Sequence, residues 1–130
     1  MKKYENFCAA LKNLEDVYRY EEPYSNVILT GLVALYEICF GQSWKAIKEI
    51  LENSGVTAGQ SGSPRQILKA AFQAGMIGDE QLWLDALVTR NNVAHAYNQA
   101  VALDIVRQTR ETYYGMFCDL KDEIDRNWRP

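Results

Sequence analysis

The feature that most constrains this chain is a helical spacing of apolar residues along almost its whole length. In the first segment, apolar side chains recur every three or four positions, at Tyr4, Phe7, Leu11, Leu14 and Tyr18. This spacing places them on one face of a helix. A second run, from about Ser25 to Asn53, has a stripe that shifts by one residue near Gly41, which predicts a kink or a change of packing partner. We expect Trp44 on that stripe, and Trp83 further along, to pack in the core or in an interface.

Prolines and glycines divide this pattern into separate helices. The Glu-Pro pair at 22–23 ends the first helix, because a residue that precedes proline disfavours the helical conformation. Residues 53–63 are rich in glycine and serine and predict a flexible loop, and they lack the Gly-Lys-Ser/Thr sequence of a phosphate-binding loop. The Ser-Pro pair at 63–64 predicts the start of a short helix, and Gly75 predicts its end in a left-handed conformation.

Two more helices are predicted in the second half of the chain. Asp79 is a suitable N-cap for a fourth helix that begins at about Glu80. A fifth, long helix begins at about Gln99, and its predicted buried face contains Leu103, Val106, Tyr113, Phe117, Leu120 and Ile124. The alternation typical of β-strands is missing from the sequence. The chain is therefore predicted to form one all-α domain over residues 1–130, an antiparallel up-and-down bundle of four to five helices.

The composition is typical of a soluble globular protein and argues against several classes of function. Apolar residues make up 48% of the 130 residues, and charged residues make up 24%. The net charge of −3 is unlike that of a strongly basic nucleic-acid-binding domain, so any RNA contact must be local or depend on a second chain. No apolar run approaches the roughly 20 residues that a membrane span needs, and the N-terminus lacks the apolar core of a signal peptide.

The cysteine and histidine content argues against a metal centre. Cys8, Cys39 and Cys118 are widely spaced, no Cys-x-x-Cys occurs, and a single histidine cannot complete a zinc-ligand set. We interpret the three cysteines as buried thiols of a protein in the reducing cytoplasm. Neither a metal nor a cofactor is expected.

The single histidine stands in the stretch "RNNVAHAYN", residues 90–98, five positions after Arg90. No serine or cysteine nucleophile has an evident base beside it, and the acidic pairs at 79–80 and 122–123 are explained by helix capping and solvation. An imidazole that titrates near neutrality can take a proton from an RNA 2′-hydroxyl or return one to a leaving oxygen. A nearby guanidinium can hold a phosphate and stabilise the charge that develops at phosphorus. Arg90 and His95 are therefore sufficient for metal-independent cleavage of RNA, in which the 2′-oxygen attacks its own phosphodiester.

The spacing of the two residues complicates this interpretation. Five residues on an ideal helix rotate about 140°, so Arg90 and His95 do not share a face, whereas Arg90 and Tyr97 do. Three arrangements would bring the pair together: a helix distortion near Asn91 and Asn92, an arginine that reaches around, or a symmetric second chain that completes the site. The simpler alternative is structural, with His95 placed at a helix C-terminus where its positive form suits the dipole, and Arg90 on the surface.

A wider resemblance bears on these alternatives. The string at 90–97 resembles the Arg-x4-His-x-Tyr motif of HEPN domains, and more narrowly the nucleotidyltransferase substrate-binding family. The stretch "YEICFGQSWKAIKEILENSG" at 36–55 is similar to the aromatic-Glu segment and Leu-rich helix of that family. "SPRQILKAAFQAGMIGDEQLWLDALVTRNNVAHAYN" at 63–98 is similar to its central block. One departure is Gly41, where the family often has a second acidic residue.

The resemblance implies an antiparallel helical bundle, usually a homodimer, that pairs with a minimal nucleotidyltransferase as toxin and antitoxin. It implies that Arg90 and His95 form a ribonuclease pair and that Asn91 is the polar residue that commonly follows the arginine. Tyr97 would then carry the hydroxyl to which the partner transfers AMP. An adenylyl group adds bulk and negative charge beside the phosphate site, which would repel RNA.

Three functions compete on this evidence. The first is a ribonuclease toxin subunit that its nucleotidyltransferase neutralises. The second is a non-catalytic subunit that helps the nucleotidyltransferase hold its substrate. The third is a plain helical scaffold, which would leave the motif a coincidence. We expect the first, because the whole Arg-x4-His-x-Tyr string contains the only histidine of the chain.

Overall fold

A computed structural model describes residues 1–56 and 62–129, and across these residues the chain forms five helical rods without a β-strand. The rods contain six α-helices: α1 (Lys2–Leu14), α2 (Asn26–Asn53), α3 (Pro64–Gln73), α4 (Glu80–Asn92), α5 (Gln99–Gln108) and α6 (Tyr114–Asn127). A π-helical segment, Thr109–Tyr113, joins α5 and α6 into the fifth rod. Short 3₁₀ turns follow α1 and α4. The predicted all-α bundle is confirmed.

Local signals in the sequence explain where these helices begin and end. The side chain of Asp79 accepts a hydrogen bond from the N–H of Leu82 at 3.0 Å, which caps α4 as predicted. Ser25 caps α2 in the same way. Gly75 has a φ of 82°, the left-handed conformation expected after α3. Ser63 precedes α3 without a side-chain cap, and the residues 57–61 of the predicted flexible loop lie outside the described residues.

The central helix of the bundle is α2, which contacts α1, α3, α4 and α5. It runs without interruption past Gly41. By length and composition alone α2 could also cross a membrane, contrary to the expectation from the sequence. In this structure, however, it contributes the largest set of buried side chains to the core. The core helix of a bundle can be as apolar as a membrane-spanning helix, because several of its faces are covered by protein.

Aromatic rings fill the middle of the core, around the indole of Trp83. The Trp83 ring lies 5.7 Å from the ring of Phe117 in an edge-to-face arrangement and 6.2 Å from that of Phe40. Phe117 in turn contacts the ring of Phe7 at 6.2 Å. Helices α1, α2, α4 and α6 therefore meet at one aromatic cluster.

Three of the predicted core residues lie nearer the surface. Tyr18 is exposed, Leu103 is half-buried, and Trp44 is half-buried beside a surface pocket that Lys3 and Lys48 also line. For Leu103 and Trp44 packing against the core is confirmed, although both are only partly buried, whereas Tyr18 departs from the apolar stripe predicted for the first helix.

The two tryptophans should differ in their contribution to stability. Trp83 is 3% exposed, so Trp83→Ala should lower the free energy of unfolding by about 3–5 kcal/mol. Trp44→Ala should cost clearly less, because part of its ring already contacts water. Chemical denaturation of both variants measures the difference, and equal losses would contradict the burial described here.

Candidate functional site

The motif predicted to carry the chemistry lies where the chain turns from α4 into α5. Arg90 is in the last turn of α4, and His95 ends a 3₁₀ turn, Val93–His95, that follows Asn92 directly. Asn98 then begins α5, and its side-chain oxygen accepts hydrogen bonds from the backbone N–H groups of the first turn, at 2.9 and 3.3 Å. The corner is thus fixed at both ends by helix geometry and capping.

Arg90 is half-buried, and it is close enough to Tyr36 of α2 for its positive charge to act on that phenol. The hydroxyl of the buried Tyr36 donates a 2.6 Å hydrogen bond to the carbonyl of Ala86. In an α-helix this carbonyl also accepts from the N–H of the residue four positions on, which is Arg90. Burial raises the pKa of the Tyr36 hydroxyl, and the positive charge of Arg90 acts in the opposite direction. Tyr36 therefore holds the turn of α4 from which Arg90 projects.

A second set of contacts fixes the same turn of α4, next to the first. The hydroxyls of Thr89 and Tyr113 share a 2.9 Å hydrogen bond, and Tyr113 also donates to the side-chain oxygen of Gln108 at 3.0 Å. The ring of Tyr113 packs 5.4 Å from that of Tyr36. The end of α4 is consequently fastened to α2 by one tyrosine and to the π-helical segment by another.

The remaining residues of the motif are open to solvent. Tyr97 is 88% exposed, and Asn91 and His95 are also exposed. The rings of His95 and Tyr97 lie 6.5 Å apart, at 68° to each other. Among the residues that the structure describes, the side chains of Arg90, His95 and Tyr97 make no ion pair, and none is paired in a side-chain hydrogen bond. Their polar groups are therefore available to a ligand.

The distortion anticipated near Asn91 and Asn92 is present, but it does not align Arg90 with His95. Two α-helical steps followed by three 3₁₀ steps rotate the chain so that the two residues project roughly 160° apart. Two of the three arrangements considered from the sequence would still bring the pair onto one phosphate. Either the Arg90 side chain extends around the helix, or a second chain completes the site.

A groove lies beside the corner, between α2 and the segment that carries Tyr97. Its volume is about 510 Å³, within the range of small-ligand sites. The lining residues are Asn26, Thr30, Val33, Ala34, Glu37, Val93, Ala96 and Tyr97. The walls are mainly apolar, and one amide, one hydroxyl, one carboxylate and one phenol supply the polar groups.

Sequence reasoning found the motif but missed its supporting residues. Tyr113 was expected only as a core residue, and Tyr36 and Thr89 were given no role. A signal for Tyr36 was available, since a tyrosine on the buried stripe of an apolar helix needs a partner for its hydroxyl.

Comparison with known proteins places the chain among nucleotidyltransferase-associated proteins. A family model described as "Nucleotidyltransferase substrate binding protein like" matches residues 2–126. The "Probable ribonuclease HepT" of Haemophilus influenzae is 26% identical over 85 residues, which cover 64% of this chain. The match spans only 58% of the length of that relative.

Two solved structures share the fold. One is a Haemophilus influenzae protein described as having the fold of a substrate-binding domain of a nucleotidyltransferase, with a TM-score of 0.80 and 20% identity. The other is a protein of Thermus thermophilus, with a TM-score of 0.74 and 23% identity. In both cases 95% of this chain and 99% of the solved chain are covered. The fold is therefore shared over nearly the whole chain.

The contact from Tyr36 to α4 can be tested without any assumption about function. Tyr36→Phe should lower the free energy of unfolding by about 1 kcal/mol, because one buried hydrogen bond is lost while the ring packing remains. Amide hydrogen exchange at Arg90 should become faster, since the end of α4 loses an anchor. The exposed Tyr20 supplies a matched control, and Tyr20→Phe should change neither quantity. Unchanged exchange at Arg90 in Tyr36→Phe would contradict the anchoring role.

Proposed function

Because the chain belongs to the nucleotidyltransferase substrate-binding-protein-like family, we propose that it is the HEPN toxin-type subunit of a two-component system. In this proposal it is a metal-independent endoribonuclease of the cytoplasm, and a minimal nucleotidyltransferase neutralises it by adenylylating Tyr97. The observation that carries the proposal is one corner at which Arg90, His95 and Tyr97 have unpaired polar groups, with buried hydrogen bonds holding the turn of α4 that carries the arginine. The similarity to a probable ribonuclease supports the same reaction class.

Each residue of the motif has a distinct chemical role in the proposed reaction. Arg90 keeps its charge at neutral pH, so it anchors the scissile phosphate and stabilises the negative charge that develops there. His95 takes the proton of the 2′-hydroxyl as that oxygen attacks phosphorus. The bond from phosphorus to the 5′-oxygen breaks, and a protonated imidazole returns a proton to that oxygen. The products are a 2′,3′-cyclic phosphate and a 5′-hydroxyl end.

We propose that the working form is a homodimer. The separation of Arg90 and His95 within one chain, roughly 160° around the helix axis, supports a site that two chains share. Exposed apolar side chains on α2 and α4 supply a surface for the contact: Val27 (79% exposed), Ile38 (52%) and Val88 (56%). A second copy would also supply a second imidazole, so that one histidine could accept a proton while the other donates one.

A second candidate is a non-catalytic subunit that helps a nucleotidyltransferase hold its substrate. The solved Haemophilus influenzae protein described as a substrate-binding domain favours this alternative, since it shares the fold over nearly the whole chain. Cleavage of RNA distinguishes the two candidates, and a plain scaffold would need neither the motif nor the groove.

The dimer should appear in sedimentation at micromolar concentration. Ile38→Glu and Val88→Glu should each shift the protein towards monomer, because a buried unpaired charge opposes association. Phe72→Glu changes an exposed apolar residue on α3 and should leave the dimer intact. Sedimentation of the wild type as a monomer at high micromolar concentration would contradict the shared site.

The nuclease reaction is tested by incubating purified protein with cellular RNA in EDTA. Wild type should cleave and leave cyclic phosphate ends, while Arg90→Ala and His95→Ala should each lose roughly 100-fold or more in rate. If the wild type cuts nothing, or all three cut equally, the nuclease proposal fails and the binding-subunit candidate replaces it.

Neutralisation is tested by adding the cognate nucleotidyltransferase with ATP and Mg²⁺. Mass spectrometry should find an adenylyl group on Tyr97, and RNA cleavage should fall. Tyr97→Phe should stay active under the same treatment, because it lacks the accepting hydroxyl. Inhibition of Tyr97→Phe to the same extent as the wild type would contradict a role for this tyrosine.

A further inference from the structure

We infer that the groove beside Tyr97 is a nucleoside-binding subsite, and that it holds the adenosine of an adenylate carried on Tyr97. The inference rests on the proposed function for the identity of the ligand. It adds a location for the nucleotide, the residues that would recognise it, and a reason why its attachment would block the site.

The groove follows one face of α2. Asn26, Thr30, Ala34 and Glu37 recur at helical spacing, and the distance along the helix from the first to the last is roughly 16 Å. Such a length exceeds that of one nucleoside monophosphate. The volume of about 510 Å³ is likewise sufficient for a small ligand of this kind.

Tyr97 supplies the argument for this occupant. Tyr97 lines the groove and is 88% exposed, so a group joined to its hydroxyl is tethered at the edge of the groove and needs only a short swing to enter it. A short tether produces an effective concentration in the millimolar range. Even a weak intrinsic affinity of the groove for adenosine would therefore be enough to keep a tethered nucleotide bound.

The chemistry of the lining fits a nucleoside. Val33, Ala34, Val93 and Ala96 offer apolar contact to the faces of a base. The Asn26 amide can donate to and accept from the edge of adenine, and Thr30 can do either.

Charge then orients the nucleotide. Of the described residues that line the groove, Glu37 alone has a carboxylate, which accepts hydrogen bonds from exocyclic amines and ribose hydroxyls. The same carboxylate repels phosphate. A single nucleotide can keep its phosphate at the rim, on Tyr97, and its nucleoside inside, whereas an RNA strand carries a phosphate at every residue. The groove therefore fits a tethered nucleotide better than a continuous strand.

Docking in the groove explains how the modification would act. With the nucleoside held beside α2, the phosphate on Tyr97 stays close to His95, whose ring lies 6.5 Å from that of Tyr97. A fixed negative charge there repels the phosphodiester of an incoming RNA. Inhibition then depends on the groove as well as on the covalent bond.

Binding of free AMP to the purified full-length protein tests the subsite without the nucleotidyltransferase. Titration followed by NMR should show saturable binding in the millimolar range, with the largest amide shifts at Thr30, Ala34 and Val93. Inorganic phosphate at the same concentrations should not reproduce these shifts.

Substitutions in the groove should weaken this binding selectively. Ala34→Phe fills the groove and should abolish saturation, while Ala9→Phe, on the exposed face of α1, should bind AMP as the wild type does. Glu37→Gln should weaken binding about tenfold because a charged acceptor is lost, and Glu52→Gln on the same helix should not. Glu37→Gln also keeps the test valid if Ala34→Phe does not fold.

The outcomes separate this inference from the proposed function. Saturable AMP binding that both groove variants weaken supports the subsite, even if RNA is not cleaved and Tyr97 is not adenylylated. If saturable binding is missing at tens of millimolar AMP, or if its affinity is unchanged in Glu37→Gln and Ala34→Phe, the subsite is rejected. The nuclease and neutralisation assays could still give their expected results if the subsite is rejected.

Discussion

The arrangement of this bundle depends on one buried phenol, that of Tyr36. Its ring packs between those of Phe40, Tyr113 and Phe117, at 5.4 to 6.3 Å, so it links α2 to the long fifth rod. A phenol can be buried there only if its hydroxyl finds an acceptor, because an unpaired buried polar group costs about 1–3 kcal/mol. The carbonyl of Ala86 is that acceptor. Together with the contact between the Trp83 and Phe40 rings, this requirement sets which side of α4 lies against α2.

The consequences reach the motif four residues later. Because α4 is fixed at Ala86, the arginine at its end is half-buried and its charge is close to the core tyrosine. His95 and Tyr97 follow after the helix has tightened and turned, and they are exposed. The corner thus combines a half-buried cationic group on a fixed helix turn with a solvated imidazole and an accessible phenol. The positive charge of Arg90 at this corner would attract an anionic ligand, although the net charge of the chain is −3.

Particular residues show how far sequence reasoning reached. The caps at Asp79 and Gly75 were predictable, because they depend on contacts within one turn. Leu103 was misplaced because the predicted stripe assumed one regular helix. The π-helical segment at 109–113 changes the rotation between α5 and α6, so Ala102 and Ile105 face the core instead. Tyr18 was misplaced because α1 ends at Leu14, and its hydroxyl donates to the carbonyl of Arg110 at 2.7 Å. The roles assigned to Arg90, Asn91, His95 and Tyr97 stay predictions.

The sequence by itself determined the helices, their order, the all-α class and the position of the motif at the end of a helix, since all of these follow from spacing and from residues near each other in the chain. Only the tertiary structure decided which supports surround the motif. Tyr36 and Ala86 are 50 residues apart, and the groove joins α2 to a segment some 60 residues later. Periodicity specifies which face of a helix is buried, but not against which neighbour, at what depth or in what rotation. Those quantities are set by packing among rods, and they alone produce the contacts that hold the turn carrying Arg90 and the groove beside Tyr97.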